Sequence, residues 1–209
     1  MVKLSRPPRK EVKAGILETA AHEFLSFGYH DARIARIAAK AGYTKGALYS
    51  NFGSKPQLFT EVLMEHLKVT EVTFVPEMIR ILQTKQPAEA TAQQLSNLLQ
   101  ERSVELLPWQ VLIAQFRLLA VNDSEARDAY QAFMEFYLNL ALEICDTNEL
   151  LTHVTPTRRR IIVFSALQII NSATLEAATL TSLTAEYFSN SLAAIFMRSL
   201  KDLKNENAN

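Results

Sequence analysis

All five glycines, Gly15, Gly28, Gly42, Gly46 and Gly53, fall within the first 53 of 209 residues, and the remaining stretch of 156 has none. Two-residue hairpins need residues that tolerate positive φ, and no Asn-Gly or Asp-Gly pair occurs anywhere in the chain. A sheet of that length would have no means of turning its strands. The long C-terminal part therefore reads as helical, and tight turns are confined to the N-terminal part. With 48% apolar residues the chain can bury a core, and its length allows one domain or two small ones. Cys145 has no second cysteine to pair with, so a disulfide framework is excluded and a reducing, cytoplasmic setting is expected. Met1 to Lys13 carries no apolar run of the kind a secretory leader has. The longest charge-free stretch beyond it, Ile161 to Leu175, contains Gln168 and Asn171 and falls short of the ~18–20 apolar residues of a membrane span. No membrane partner is expected.

Helix signals punctuate the chain. Ser54, Lys55, Pro56 and Gln57 combine a capping serine, a proline in the first turn and a glutamine three residues on. They open a helix able to run through Leu58, Val62 and Met64 towards the low 80s. Further starts are read at Pro87, at Pro108, at Asp123-Ser124-Glu125 and at Thr155-Pro156, where a cap residue precedes proline at the first helical position. A last helix is expected from near Ser182 to about Leu203. With two or three short helices before Ser54, the fold class is all-α with about nine helices.

Charge is divided as unevenly as glycine. Residues 1–60 hold ten basic and four acidic side chains, a balance of +6, which the rest of the chain cancels with −6. A basic segment on an otherwise acidic chain attracts a polyanion locally and orients its approach, although a solvated basic face has the same composition. Within it, Ile34, Ile37, Ala38 and Ala41 form one apolar stripe, Gly42 ends that helix, and Ala47, Leu48 and Phe52 form the stripe of a second. Two short helices joined by about three residues cross steeply, which is helix-turn-helix spacing. The second leaves Thr44, Lys45, Gly46, Tyr49 and Ser50 outward, a mixture of hydroxyl, cation and bare backbone suited to a major groove.

The run from Gly28-Tyr29 through Ile37-Ala38, Ala41-Gly42, Lys45-Gly46, Leu48-Tyr49, Phe52 and Ser54-Lys55 to Leu58 resembles the DNA-binding region of the TetR family of bacterial transcription regulators. The likeness covers about Lys10 to Phe59. It implies an N-terminal three-helix DNA-binding domain over residues 1–54. It also implies a larger helical ligand-binding and dimerisation domain over residues 55–209, with a homodimer formed by the last two helices. It casts Thr44, Lys45, Gly46 and Tyr49 as recognition-helix residues, Lys55 as part of a phosphate clamp, and Arg33 and Arg36 as neighbours of the DNA backbone. Two positions depart from the pattern. Ala32 stands where a capping Thr or Ser is usual, leaving Asp31 as the nearest substitute, and Asn51 stands where His is common.

Beyond residue 60 the resemblance implies a ligand cavity lined by aromatic and methionine side chains. The candidates are Phe74, Met78, Trp109, Phe116, Phe133, Met134 and Tyr137, although such residues at helical spacing also build plain cores. Asn171, on an otherwise apolar helix, needs a partner for its amide, from a ligand or a dimer mate. Arg158, Arg159 and Arg160 sit in a first turn, where cations oppose the helix dipole, and so call for acidic neighbours. The helix from Thr155 is apolar on more than one side and should be buried all round, and with the last helix it can form a symmetric four-helix bundle between two chains.

The four histidines and Cys145 have no metal-ligand spacing, and no P-loop, dinucleotide fingerprint or Gly-x-Ser-x-Gly elbow occurs. No metal, cofactor or catalytic residue is expected. The sequence points to a sequence-specific regulator binding double-stranded operator DNA, released from a palindromic site by a small-molecule effector, and a repressor rather than an activator. The alternatives are a DNA-binding regulator controlled by a protein partner, and a small all-α carrier or enzyme.

Overall fold

The computed structural model describes residues 9–84, 86–147, 151 and 154–179. The elements are α1 (Arg9–Asp31), α2 (Ile34–Ala41), α3 (Lys45–Phe52), α4 (Lys55–Gln83), α5 (Ala88–Asn122), α6 (Ser124–Thr147) and α7 (Pro156–Thr179). Among the described residues there is no strand. They group into two compact units, one running up to His66 and including Leu112–Met134, the other made of Leu67–Val111 and of the chain from Glu135 onward.

In the first unit α1 buries Ile16, Leu17, Ala20 and Phe24 on one side. Its ladder is interrupted at Gly28 (φ 74°, ψ 171°), a conformation that glycine adopts at little cost and residues with a Cβ do not. The Tyr29 N–H then donates to Gln115 Oε1 at 3.0 Å, and a Cβ on Gly28 would stand 3.1 Å from the same oxygen. Phe59 is the centre of the core, its ring centroid 4.7 Å from Phe24, 5.0 Å from Tyr29 and 4.9 Å from Phe116. Each such fully buried ring contributes roughly 1.5–3 kcal/mol. Burial, with Asp123 and Glu125 nearby, pushes the Tyr29 phenol far above its ordinary range. The Thr60 hydroxyl donates to the Ala129 carbonyl at 3.3 Å, and Asp123 Oδ1 caps α6 by accepting from the Ala126 N–H at 2.8 Å. Segments far apart in sequence thus make one core.

In the second unit Phe74, Met78, Ile79, Leu95, Leu98, Tyr137, Ile162, Val163, Leu167 and Ile170 are buried. Proline opens α7, and the Arg159 N–H donates to the Thr155 carbonyl at 2.9 Å. The arginines of that first turn meet the anions they call for. Arg159 pairs with Asp146, and Arg160 donates to Glu135 at 2.7 Å and to Asn139 at 3.2 Å. Burial pushes the Cys145 thiol up to about 11, against the pull of Arg159.

One expectation is corrected. Pro108 opens no helix, because it lies inside α5. Proline removes one ladder hydrogen bond, but here it sits on an exposed face, opposite water, four residues after an exposed Val104, so the freed carbonyl has solvent to bond. Seven of the about nine expected helices lie among the described residues, and the last expected one, from Ser182, lies outside them. Within this chain α7 is not buried all round: Ile161 is 61% and Phe164 43% exposed. By length and composition Val104–Asn122 of α5 is apolar enough to cross a membrane. It carries Glu105 and Arg117, and it places Leu112, Ile113 and Phe116 in buried positions.

Candidate nucleic-acid interface

The interface is built from α2, a tight turn and α3. Ile34, Ile37 and Ala38 bury the inner stripe of α2. Gly42 closes the helix in the left-handed conformation (φ 76°, ψ 25°), which lets the Tyr43 N–H reach the Ala38 carbonyl at 2.8 Å and the Gly42 N–H reach Ala39 at 3.2 Å. The chain reverses within three residues, and Thr44 caps the next helix, its Oγ1 accepting from the Ala47 N–H at 3.1 Å. Leu48 and Phe52 are buried under α3.

The outer face of α3 carries Thr44, Lys45, Gly46, Tyr49, Ser50 and Asn51, all exposed. Ser50 and Asn51 turn their donors back to the Ala47 carbonyl, at 2.9 and 2.7 Å. Lys45 holds its ammonium 5.6 Å from the centre of the Tyr49 ring, so cation and aromatic form one surface feature. Gly46 has no internal reason to be glycine. A Cβ there would meet only Thr44 Oγ1 at 3.9 Å, an ordinary contact, in an ordinary helical conformation.

The other residues singled out for this surface have engagements of their own. Lys55, the first residue of α4, donates to the His30 carbonyl at 3.1 Å and lies 4.7 Å over the Tyr29 ring. Burial lowers its ammonium below the usual lysine range, while Asp31 and Glu23 act in the opposite sense. Arg33 is exposed and occupies the cap position of α2, but its side chain makes no cap hydrogen bond. Arg36 places its guanidinium 4.1 Å over the Phe27 ring and donates from its terminal nitrogen to the Asp31 carbonyl at 2.8 Å.

The substitute cap is Glu23, not Asp31. Glu23 is fully buried, and its Oε1 accepts from the Arg33 N–H at 3.1 Å and from Arg36 Nε at 2.5 Å, with Lys40 Nζ 3.5 Å from Oε2. Asp31 ends α1 and supplies a backbone carbonyl instead. Burial by itself would raise the Glu23 pKa, but the Arg33 N–H, Arg36 and Lys40 together outweigh it and hold the carboxyl below the usual range. Sequence reasoning passed over this residue, although a signal was there: Glu23 falls seven residues after Ile16 and three after Ala20, on the apolar stripe of α1.

The residues considered for a ligand cavity are divided. Phe116 and Phe133 are fully buried in the first unit, with Met134 half-buried there. Phe74, Met78 and Tyr137 are buried in the second unit, where Trp109 and Asn171 are half-buried. Asn171 has an internal partner, since buried Gln110 donates to its Oδ1 at 2.9 Å. Among the described residues no group of three or more His, Cys, Asp or Glu side chains could hold a metal ion.

Comparison with known proteins falls on the same unit. Residues 16–62 match the family model for bacterial regulatory proteins of the tetR family. The transcriptional repressor AcnR of Corynebacterium jeikeium is 38% identical over 68 residues, which is 32% of this chain and 36% of that protein. The chain thus spans about a third of the length of the curated relatives it matches. Over nearly its whole length it resembles solved structures in fold. A Mesorhizobium loti protein assigned to the TetR-family transcriptional regulators superposes with a TM-score of 0.57 at 16% identity, covering 94% of this chain and 98% of that one. A transcriptional regulator assigned in Saccharomonospora viridis and solved in complex with choline gives 0.54 at 19%, covering 91% and 97%.

Proposed function

We propose that this chain, whose residues 16–62 match the family model for bacterial regulatory proteins of the tetR family, is a sequence-specific, DNA-binding transcription regulator that a small molecule releases from its operator. The observation that carries this reading is α3. A short helix capped by Thr44 exposes Lys45, Gly46 and Tyr49 together, in the segment that the family match covers. Lys45 is the cation placed to reach a base edge, and Gly46 lets a sugar-phosphate backbone come close. Arg33 and Lys55 add charge towards phosphates, which positions the protein without specifying sequence. In this division of labour residues 1–54 bind DNA, and residues 55–209 bind the effector and dimerise.

The apolar side of α7 that carries exposed Ile161 and Phe164 supports a homodimer, since a second copy would take both side chains out of water. Two recognition helices held about one helical turn apart (~34 Å) would read a palindromic site. An effector that fits better when they are spread lowers DNA affinity by its differential binding free energy and by no more. The choline bound in a protein of like fold supports a small-molecule effector in the helical part, and the likeness to a named repressor supports repression. Such a protein works in the cytoplasm.

Selection of bound sites from randomised duplexes, followed by titration of the winners across salt, tests this reading. The expected result is a palindromic winner with a steep negative salt slope. Binding that is weak and blind to sequence would overturn it.

A further inference from the structure

The beginning of α2 lacks what a helix N-terminus needs. Its cap residue, Arg33, makes no side-chain cap, its first turn holds no acidic residue, and its third position, where a capping box places Glu or Gln, is the cation Arg36. The missing anion arrives from α1. One fully buried carboxylate, Glu23, takes the Arg33 N–H and Arg36 Nε on Oε1, while Oε2, buried and without a hydrogen-bond partner, faces Lys40 at 3.5 Å. Arg36 is fixed from two further directions, by the Phe27 ring and by the Asp31 carbonyl. A single side chain therefore ties the first, fourth and eighth residues of the segment Arg33 to Lys40 to α1, and α3 follows α2 through the hydrogen-bonded Gly42 turn.

We infer that Glu23 is a positioning residue for DNA reading, which docks α2, and with it α3, on α1, and that Arg36 acts on DNA affinity through this carboxylate rather than by touching DNA. This rests on the function proposed above. A buried carboxylate whose only role was stability would be a poor choice, since a well-packed apolar residue commonly serves as well or better. The unusual feature is that its ligands are all on the helix that carries the recognition helix.

The test titrates wild type, Glu23→Gln, Glu23→Asp, Arg36→Met and the Glu23→Gln/Arg36→Met double variant on a selected duplex and on a scrambled duplex of equal length. It is run at a temperature where circular dichroism shows each chain folded. Glu23→Gln and Arg36→Met are each expected to weaken binding to the selected duplex about tenfold or more and to the scrambled one less than about twofold, with the double no worse than the poorer single. The Arg33 amide should exchange faster with solvent in Glu23→Gln. A folded Glu23→Gln that binds the selected duplex within about twofold of wild type overturns the inference, as does equal loss on both duplexes or strict additivity with Arg36→Met. Should Glu23→Gln fail to fold, Glu23→Asp, which keeps the charge but withdraws it by one methylene, faces the same thresholds. A wild-type chain that prefers no duplex defeats the proposed function itself, and that result is in hand before any variant is made.

Discussion

Helices α2 and α7 both open with arginines, against the helix dipole, and both borrow carboxylates from an earlier helix to compensate. The two solutions differ in where the carboxylate sits. At α7, Glu135 and Asp146 are exposed by 63% and 51%, and water shares the work of solvating the pairs. At α2, Glu23 has no exposure, so its partners are the whole of its solvation. One arrangement trims a surface, while the other determines where a helix lies. The difference also tracks what each region exposes: α7 leaves apolar Ile161 and Phe164 in water, whereas α3 presents cation, hydroxyl, aromatic ring and bare backbone. The first is a surface suited to a protein, the second to a polyanion.

The largest expected effect probes that buried carboxylate. Glu23→Gln should lower unfolding free energy by about 2–4 kcal/mol at pH 7, because charge-assisted hydrogen bonds are lost and Arg36 keeps only partial solvation. The same contribution has a pH signature. The folded-state pKa lies below the ordinary glutamate value, so the stabilisation is complete above that ordinary value, near 4.3, and is lost as pH falls through the folded value. Urea titrations of wild type and variant should therefore converge on acidification. A gap that stays constant from neutral pH downward would remove the carboxylate's charge from the account, and α2 would then resemble α7.

Next in size is Lys45→Ala. If the outer face of α3 is directed at base edges, specific binding should weaken by roughly 1–3 kcal/mol with little change in the thermal midpoint. Operator affinity equal to wild type would move the reading surface elsewhere on the unit.

How far these regions were legible in sequence follows from distance along the chain. The turn at Gly42, the Thr44 to Phe52 helix, the Ser54 start and the Pro156 start each depend on residues within four or five positions, and local spacing reveals them. Glu23 meets partners 10 to 17 positions away, across the break at Gly28, and Gln115 meets Tyr29 86 positions away. Such pairings need the fold first. Pro108 misled for the opposite reason: a local rule was applied where a long helix with a wet outer face absorbs the missing hydrogen bond. Aromatic spacing is identical for a core and a cavity wall, so sequence alone could not separate the two among the ligand candidates; Phe116 lies beside Phe59 and Tyr29.

A smaller effect with opposite signs separates stability from function within α3. Gly46→Ala should stabilise the fold by about 0.5–1 kcal/mol, since alanine is the better helix former and the added methyl has room. On the proposed function the same methyl should weaken DNA binding, because it would stand where that reading brings a phosphate backbone close. Raised thermal stability with unaltered DNA affinity would mean that nothing comes close to Gly46.

The smallest effect belongs to α7. Glu135→Gln removes one partner of Arg160, but the pair is exposed on both sides, Asn139 still accepts from the same guanidinium, and salt screens what remains. The change in unfolding free energy should be no more than about 0.5 kcal/mol and should vanish in high salt. This is the control that gives the Glu23 result its meaning. Both substitutions delete one carboxylate charge opposite an arginine in the first turn of a helix, so a loss at Glu135 as large as at Glu23 would show that burial is not what distinguishes them. The electrostatic load on the N-terminus of α7 would then have to be carried by Asp146 and Glu135 as a network, and Asp146→Asn on top of Glu135→Gln would cost more than the two changes taken separately.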